Sequence, residues 1–472
     1  MRKLLLATVA ALGASMGVAT VAEAQAPTPA PGTVTVRLNG RFRFFAAAVF
    51  DRDVDNNFAG GAGTVAPTAG TGRNKQTNYD FGSYARLYPG FDGVAANGLK
   101  YGASLEIRQD INAAAGGGGF GSISSRSSQR NQLYFRKLWG YLGTDTLGTV
   151  RLGATDGPSS LYMTGNFENF NDGGLNGDVP SLLAPAAQPV WPFADVGNLN
   201  TGDKIMYLSP QFFGFDFGVS FEPNTGNGNN LSNCGGGVFG TAIAQGANVA
   251  GVSGPGCDRL SSTFVNAETS RRRNTFDGLL RYRGAFGGVG VAATASYIKS
   301  GHVRDNSNLP FTNNPTGTRY AYEGLDVGDF GAALTFGGLS VGGKYQVGRF
   351  NGQWTLLPDG APGGEAWLVG ASYTAGPLIV GAHYLDYKSA GDLLNGLADR
   401  QRRENAVSAG ATYALAPGVS LFAHYTYVQR KQNGFNFITG QGVTTGATGA
   451  AGNTQNNKVT SQIFAIGTGF SW

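Results

Sequence analysis

The feature that most constrains this chain is an alternation of apolar and polar residues that begins at Val34. Between Val34 and Phe44, one set of alternate positions is apolar or small, and the other is polar, with Arg37, Arg41 and Arg43 among its members. Successive side chains of a β-strand point to opposite faces, so this pattern predicts a strand with one apolar and one polar face. The polar face would meet bulk water in a soluble sandwich, but a water-filled lumen in a membrane barrel.

The same alternation recurs along the chain and again at its C-terminus, where Phe464, Ile466, Phe470 and Trp472 share one face. The sequence predicts sixteen strands in total. Between the first and the last, the predicted strands are 77–92, 98–110, 131–143, 148–155, 203–209, 213–222, 274–286, 288–301, 319–336, 339–354, 365–375, 378–388, 404–416 and 419–431.

The connections between these strands alternate between short and long. Gly337-Gly338 is short, whereas 223–273 is long. Antiparallel hairpins that are tight at one end and elaborate at the other are typical of outer-membrane barrels. Since a lipid-facing sheet cannot leave an edge unpaired, it must close. We therefore expect an all-β fold, a transmembrane antiparallel up-and-down β-barrel of 16 strands, with both termini on the periplasmic side.

Composition excludes several other classes of protein. Only 14% of the 472 residues are charged, against about 25% in ordinary soluble domains, and 76 are glycine. The chain is too aromatic to be disordered and has no collagen-like glycine period. It lacks an apolar run of about 18 residues beyond the N-terminal region, which excludes a helical membrane protein. The net charge of +5 is small and dispersed, so no nucleic-acid partner is expected.

The N-terminus is basic and is followed by an apolar stretch and by Ala22-Glu23-Ala24. This order predicts a secretory signal peptide over residues 1–24, with an uncleaved membrane anchor as the alternative. Residues 25–33 read as a Pro-rich extended spacer, and residues 34–472 as the barrel domain.

Short motifs with basic residues occur on the predicted strands: Gly40-Arg41, Tyr84-Ala85-Arg86-Leu87, Arg136-Lys137-Leu138 and Gly153-Ala154-Thr155-Asp156-Gly157. They resemble motifs of the general trimeric porins of Gram-negative outer membranes. The resemblance implies a homotrimer in contact with membrane lipid, through which small hydrophilic solutes and ions diffuse passively. It also implies that the connection at about 156–202 folds into the lumen as a constriction loop. The aromatic C-terminus, with Phe470 and Trp472, resembles the signal that the barrel-assembly machinery reads.

The predicted lumen face carries two opposed groups of charges. Alternation places these basic residues inward on the first four strands: Arg41, Arg43, Arg86, Arg108 and Arg136, along with Arg37 and Glu106. The opposing acids, all in the infolded connection, would be Asp156, Glu168, Asp172, Asp178 and Asp195. A transverse field in a narrow pore with low-dielectric walls orients water and permeant dipoles. We expect Arg41, Arg86 and Arg136 to face Glu168 and Asp172. The alternative is that all these charges form ordinary solvated faces.

The constriction loop departs from the family pattern. Where many relatives carry Pro-Glu-Phe-Gly-Gly-Asp, this chain has Asn169-Phe170-Asn171-Asp172-Gly173-Gly174, so the acid is displaced. On the strands, Lys137 falls on an apolar face, where it would snorkel to an interface or enter a subunit contact. His383 and His424 are predicted in the lumen, and Phe422 is the one inward strand aromatic that the pattern indicates.

Two arginine clusters, 271–273 and 400–403, lie towards the long connections. They would contact lipopolysaccharide phosphates or remain solvated. Cys234 and Cys257 share one Gly-rich connection, and export to an oxidising compartment predicts a disulfide between them. No histidine is near these cysteines in the sequence, so a metal site is not expected there. No other cofactor is expected for the chain.

The chain contains no Gly-x-Ser-x-Gly motif of the kind that presents a catalytic serine. We therefore predict a non-enzymatic channel for passive diffusion, filtered by size and by the transverse charge field. A substrate-selective porin for sugars or anions is one alternative. A lipase-like barrel enzyme and a plugged structural barrel are the others.

Overall fold

A computed structural model describes residues 30–52, 78–109, 133–183, 187–193, 202–224, 272–304, 321–352, 354, 357–358, 360–391, 401–433, 435–437, 441–442 and 457–472. Its barrel strands are β1 (Val34–Arg52), β2 (Tyr79–Val94), β3 (Lys100–Gln109), β4 (Tyr134–Thr144), β5 (Gly148–Ala154), β6 (Asp203–Leu208), β7 (Phe215–Asn224), β8 (Arg273–Phe286), β9 (Val289–Lys299), β10 (Asp326–Phe336), β11 (Leu339–Arg349), β12 (Gly364–Ala375), β13 (Leu378–Ser389), β14 (Arg402–Ala416), β15 (Val419–Gln432) and β16 (Lys458–Ser471).

These sixteen strands form one closed sheet in sequence order. Every pair is antiparallel, and β1 closes the barrel by pairing with both β2 and β16. The predicted fold class and strand number are confirmed. Two predicted strands are shortened by five residues or more, because β10 begins at Asp326 rather than at residue 319 and β11 ends at Arg349 rather than at residue 354. Ala321–Glu323 instead joins Val303–Arg304 and Leu357–Pro358 in a separate small sheet, and Phe435–Asn436 pairs with Gln441–Gly442.

The wall of the barrel has an apolar outer face and a largely polar inner face. On β10, Phe330 and Leu334 are exposed, whereas Asp329 and Thr335 are buried. A slip of one residue in the pairing would exchange these two sets, so the alternation specifies the register. The outer face therefore suits contact with lipid, as in other membrane barrels.

Tight turns join the strands at one end of the barrel. Gly287 and Gly288, with φ of 54° and 86°, connect β8 to β9. A two-residue hairpin of this kind needs positive φ at both positions, which glycine adopts without steric cost. Within the described residues the helices are short, at Pro158–Leu161, Gly174–Asn176 and Val179–Leu182, and none is long and apolar enough to cross a membrane.

The orientation that the sequence predicted for Lys137 is wrong. The pairing of β3 with β4 shifts its register between Glu106 and Ile107. Glu106 pairs with Lys137 and Ile107 pairs with Phe135, so Arg136 is an extra residue in β4 at this point. Such a β-bulge turns two consecutive side chains to the same side. Lys137 accordingly makes ion pairs inside the barrel, one of them with Glu106 at 3.3 Å.

Beyond the bulge, β4 continues in the opposite phase to the one predicted. Leu138 and Leu142 are exposed on the outer face. Trp139 turns inward, where the guanidinium carbon of Arg151 lies 4.1 Å from the centre of its ring. Tyr141 also turns inward and donates a hydrogen bond to Asp92.

Candidate functional site

The connection between β5 and β6 lies against the inner side of the barrel wall. We call its described part, residues 155–183 and 187–193, the inner segment. Phe170, Val179 and Phe193 are fully buried in it and belong to the same apolar cluster as Phe45 of β1 and Leu368 of β12. Burial of such side chains is favourable by roughly 2 kcal/mol each. Apolar packing therefore holds the inner segment to the wall.

Glycines on the strands make room for the inner segment. Five of them face it, and we call these the glycine track: Gly218, Gly331, Gly370, Gly381 and Gly410. A Cβ atom at Gly370 would lie 2.8 Å from the ring of Phe167, and one at Gly410 would lie 2.8 Å from Asn171 Cβ. Isolated glycines within strands often mark a close approach by another backbone. Isolated glycines on predicted strands are therefore a sequence signal for such a contact.

The turn at the tip of the inner segment is built from Asn171 and the glycines that follow it. Asn171 has a φ of 50°, in the left-handed region that asparagine tolerates better than most residues, and Gly173 has a φ of 102°. The Oδ1 atom of Asn171 accepts hydrogen bonds from the backbone N–H groups of Gly173 at 3.0 Å and Gly174 at 2.8 Å. This local structure directs Asp172 towards β1 and β2.

The carboxylate of Asp172 accepts hydrogen bonds from four donors. Arg43 of β1 pairs with Oδ1, and the hydroxyl of Tyr84 on β2 donates to the same atom at 3.1 Å. The backbone N–H groups of Asp178 and Val179 donate to Oδ2 at 2.8 and 2.9 Å. One carboxylate thus joins the tip of the inner segment to the first two strands.

The surroundings of Asp172 also determine its protonation state. Burial alone raises the pKa of this carboxyl, but the positive charge of Arg43 and the hydrogen bonds it receives outweigh burial. The net pKa of Asp172 lies below its usual value, because the ionised form is the better partner for these donors. Asp172 is therefore a carboxylate at neutral pH.

A second link between the wall and the segment is an ion pair between Arg86 and Asp178. The Nη2 atom of Arg86 lies 2.7 Å from the Oδ2 atom of Asp178. Arg86 and Arg41 are direct cross-strand partners, an arrangement that is normally unfavourable for like charges. The ring of Tyr84 lies beneath both guanidinium groups, 4.8 Å from Arg86 and 5.5 Å from Arg41. Cation–π attraction and the carboxylates of the inner segment offset the repulsion.

A separate charged cluster surrounds Glu106. Its carboxylate pairs with Arg108 and with Arg136, the latter at 2.9 Å. Lys137 bridges Glu106 and Asp156, and Arg136 lies 3.5 Å from Asp156. Arg136 therefore engages Glu106 and Asp156, not the acids at the tip of the inner segment.

The other residues singled out in the sequence are placed as follows. Glu168 accepts a hydrogen bond from Asn176 at 2.9 Å. Arg272 is buried and lies 3.7 Å from Glu222, so it is not the surface contact for lipopolysaccharide that its cluster suggested. Arg403, by contrast, is exposed. The proposed signal peptide, Asp195, Arg271, Arg400 and the Cys234–Cys257 pair lie outside the described residues.

The two strand histidines lie on the inner side of the wall. His383 Nε2 accepts the backbone N–H of Leu175 at 3.0 Å, and its Nδ1 lies 3.1 Å from the carbonyl oxygen of Phe167. Nδ1 is therefore the protonated nitrogen, and the ring is neutral in this arrangement. His424 Nε2 contacts the hydroxyl of Thr426 at 2.9 Å.

Phe422 is not the only inward aromatic residue on the strands. Phe45 packs against it at a ring-centroid distance of 6.3 Å, and Tyr84, Trp139 and Tyr141 also turn inward. Tyr84 lies two positions before Arg86 on the same strand, so alternation alone predicts that Tyr84 turns inward. Trp139 and Tyr141 could not be found in this way, because the bulge in β4 reverses their phase.

The last strand ends in aromatic contacts with the first. Phe470 stacks on Phe42 at a ring-centroid distance of 6.2 Å. Trp472 packs over Gly40, where a Cβ atom would overlap the indole ring, and the two residues exchange backbone hydrogen bonds at 3.1 Å. The C-terminus thus takes part in closing the barrel.

Several solved structures resemble the chain at low sequence identity. An anion-selective porin from Comamonas acidovorans is 16% identical, with 93% of this chain and 100% of that chain covered and a TM-score of 0.49. The outer-membrane expressed OmpT of Vibrio cholerae is 12% identical, with 94% and 100% covered and a TM-score of 0.49. A triple mutant of the Rhodopseudomonas blastica porin is 13% identical, with 93% and 100% covered and a TM-score of 0.45.

No curated protein matches the chain by sequence. A family model described as Gram-negative porin, however, matches residues 7–433, which is most of the chain. The match agrees with the closed sixteen-stranded barrel and its charged interior. The chain therefore belongs to the Gram-negative porin family and is an outer-membrane channel for passive diffusion.

Proposed function

We propose that the inner segment and the basic wall of β1–β4 form the constriction of this channel, and that their opposed charges select among permeating solutes. The observation that carries the proposal is the pair of links from wall to segment, Arg43 with Asp172 and Arg86 with Asp178. Fixed charges of opposite sign on two sides of a narrow pore create a transverse field. Small hydrophilic solutes would pass in order of size and of their fit to that field.

Arg41 gives the proposed constriction a weak preference for anions. Within the described part of the chain, Arg41 contacts the ring of Tyr84 but makes no ion pair, whereas Arg43 and Arg86 each have a carboxylate partner. Its charge is therefore the least compensated of the three arginines. Salt would weaken its effect beyond about 8–10 Å.

Planar-bilayer recording tests this proposal. In a KCl gradient, Arg41→Ala should shift the reversal potential towards cations, and the triple Ala variant of Arg41, Arg86 and Arg136 should shift it further. Lys299→Ala, on the outer face, is the control and should leave the reversal potential unchanged. Unchanged selectivity in the triple variant would remove these arginines from the constriction.

A substrate-selective channel for anions is the second candidate. It is favoured by the inward group of Trp139, Tyr141 and Arg151, in which a cation lies over an aromatic face. Such a surface suits organic anions with an apolar body. Conductance that saturates as one organic anion is added would support this candidate, and conductance that stays proportional to solute concentration would favour simple diffusion.

The contacts of His383 support a channel rather than an enzyme. Both ring nitrogens of His383 contact the backbone of the inner segment, so neither is available as a general base. A lipase would need such a base beside a nucleophile. Phospholipid hydrolysis by the purified protein, lost in His383→Ala or His424→Ala, would contradict the proposal.

The export of the chain and its assembly in the membrane are a further part of the proposal. Residues 1–24 would be removed on export, three barrels would associate in the membrane, and Phe470 with Trp472 would be read by the barrel-assembly machinery. The exposed outer faces of Phe42 and Phe470 support contact with lipid or a neighbouring barrel. N-terminal sequencing of the membrane form should begin at Gln25, and light scattering in detergent should give the mass of a trimer.

A further inference from the structure

Two arginines share one carboxylate on the inner side of the barrel wall. Arg281 of β8 forms a bidentate ion pair with Asp216 of β7, in which its Nε and Nη2 atoms lie 2.8 and 2.9 Å from the two carboxylate oxygens. The Nη2 atom of Arg283 lies 2.8 Å from the Oδ2 atom of the same carboxylate. Asp216 therefore balances one of the two guanidinium charges, and one positive charge is left over.

Tyr162 of the inner segment holds Arg281 in place. The guanidinium carbon of Arg281 lies 3.6 Å from the centre of the Tyr162 ring, so a cation–π contact adds to the bidentate ion pair. We call Arg281, Arg283, Asp216 and Tyr162 the paired-arginine site. It lies on β7 and β8, where the inner segment begins, whereas the tip of the segment at Asp172 contacts β1 and β2.

Arg283 has hydrogen-bonding capacity that the protein does not use. Its side chain is 35% exposed, and among the described residues only its Nη2 atom has a hydrogen-bond partner. Alternation along β8 places Arg283 on the inner face, together with Arg281 and the buried Asp277. A guanidinium carries five N–H donors, so those on the Nη1 atom of Arg283 are available to a solute in the lumen.

A second shared carboxylate on the inner wall is closed to solutes. Lys204 and Arg272 both contact Glu222, at 3.1 and 3.7 Å. All three side chains are buried, so no permeating solute can reach them. Exposure of one of the two cations therefore distinguishes the carboxylate that Arg283 shares.

The hydroxyl of Tyr162 supplies a second donor beside these charges. It makes no hydrogen bond with the part of the chain that the structure describes. Burial raises the pKa of this hydroxyl above its usual value, and the positive charges of Arg281 and Arg151 oppose that rise without cancelling it. The hydroxyl therefore keeps its proton at neutral pH and can donate it in a hydrogen bond to an anion.

We propose that the paired-arginine site binds small organic carboxylates. A carboxylate matches the planar donors of Arg283 as Asp216 matches those of Arg281, and one negative charge matches the one positive charge left over. The hydroxyl of Tyr162 donates to the same anion. The inference rests on the proposed anion-selective function and names the substrate class and the place where the substrate binds.

Fluorine NMR of the full-length protein in detergent, titrated with para-fluorobenzoate, tests the proposal. The signal of the probe should broaden relative to protein-free micelles. Arg283→Gln should bind the probe about tenfold more weakly, because a charge-assisted hydrogen bond is lost. This variant should fold, since Asp216 keeps its bidentate partner Arg281. Tyr162→Phe should weaken binding by a smaller factor, because it removes one donor and keeps the aromatic ring.

The matched control is Arg349→Gln, which removes an exposed arginine from the outer face and should bind the probe as the wild type does. Neutral para-fluorobenzamide should not bind, and acetate should displace para-fluorobenzoate. Heat-resistant mobility on gels shows that each variant barrel has folded.

Four results would overturn the assignment. They are absence of probe binding by the wild type, equal binding by the wild type and by both Arg283→Gln and Tyr162→Phe, equal binding of the neutral amide, and displacement by inorganic phosphate at lower concentration than by acetate. Charge selection by Arg41 is measured separately, from the reversal potential. The paired-arginine site and the proposed constriction can therefore fail independently.

Discussion

The ring of Phe170 occupies the space in which a side chain at Gly381 would begin. A Cβ atom at position 381 would overlap the Cδ1 atom of Phe170, which is fully buried. Gly381 lies on β13 and Phe170 in the inner segment, far apart in the sequence. The contact shows that the wall and the segment are shaped to each other, and that glycine is needed on the strand for the segment to lie flat.

We expect Gly381→Ala to displace Phe170 and to loosen the inner segment. Overpacking of this kind costs about 1–3 kcal/mol, so the barrel should unfold at lower denaturant concentration. Conductance and the size limit for neutral sugars should also change. The control is Gly140→Ala, because its Cβ atom would meet only a carbonyl oxygen at 3.4 Å. An unchanged size limit in Gly381→Ala would show that the segment does not narrow the pore.

Replacement of Asp172 by Asn should detach the tip of the inner segment. It leaves Arg43 without its ionic partner, and the loss of one member of a buried pair costs about 3–5 kcal/mol. We expect unstable, larger conductance levels in single-channel recordings. Asp145→Asn is a suitable control, since that carboxylate is 83% exposed at a tight turn. Recordings of Asp172→Asn that match the wild type would contradict the role given to this carboxylate.

The wild-type channel should resist mild acid at this contact. The pKa of Asp172 is below its ordinary value of 3.8, so the ionised group stabilises the fold fully above that value. This contribution is lost only as the pH falls from there through the lower native pKa. Conductance controlled by this carboxylate should stay constant from neutral pH to about pH 4. A change centred near pH 6 would have to come from another group.

The bulge in β4 can be tested by labelling single cysteines in a variant that lacks Cys234 and Cys257. Arg136→Cys and Lys137→Cys should both react with a charged, water-soluble thiol reagent, because both side chains face the interior. Leu138→Cys should be protected from it, because that side chain faces lipid. Regular alternation would instead protect Lys137→Cys and expose Leu138→Cys, which would remove the bulge.

The predicted disulfide between Cys234 and Cys257 has a direct chemical test. Non-reducing peptide mapping of the exported protein should recover one cross-linked peptide, because oxidising compartments favour the bond. Two free thiols in the mapped protein would end this prediction. Loss of the bond in Cys234→Ser should leave the barrel folded, since both cysteines lie in a connection between strands.

The ion pairs inside the barrel could not be predicted from the sequence. Alternation placed Arg43 and Arg86 on the inner face, yet it could not say which acids they meet. The partner of Arg43 lies 129 positions away, and the choice of Asp172 for Arg43 and Asp178 for Arg86 depends on how the inner segment turns at Asn171. Lys137 was misplaced for a related reason, because a bulge arises from the pairing of two strands and leaves no mark on the alternation of either one.

What the sequence determined by itself was the architecture. Alternating side chains, sixteen strands and alternate tight and long connections allow a lipid-facing sheet only one outcome, because every backbone group must be paired and every edge closed. The tertiary structure alone decided the interior: which glycines receive the inner segment and which carboxylates meet which arginines. These depend on contacts between distant parts of the chain, which no local period encodes.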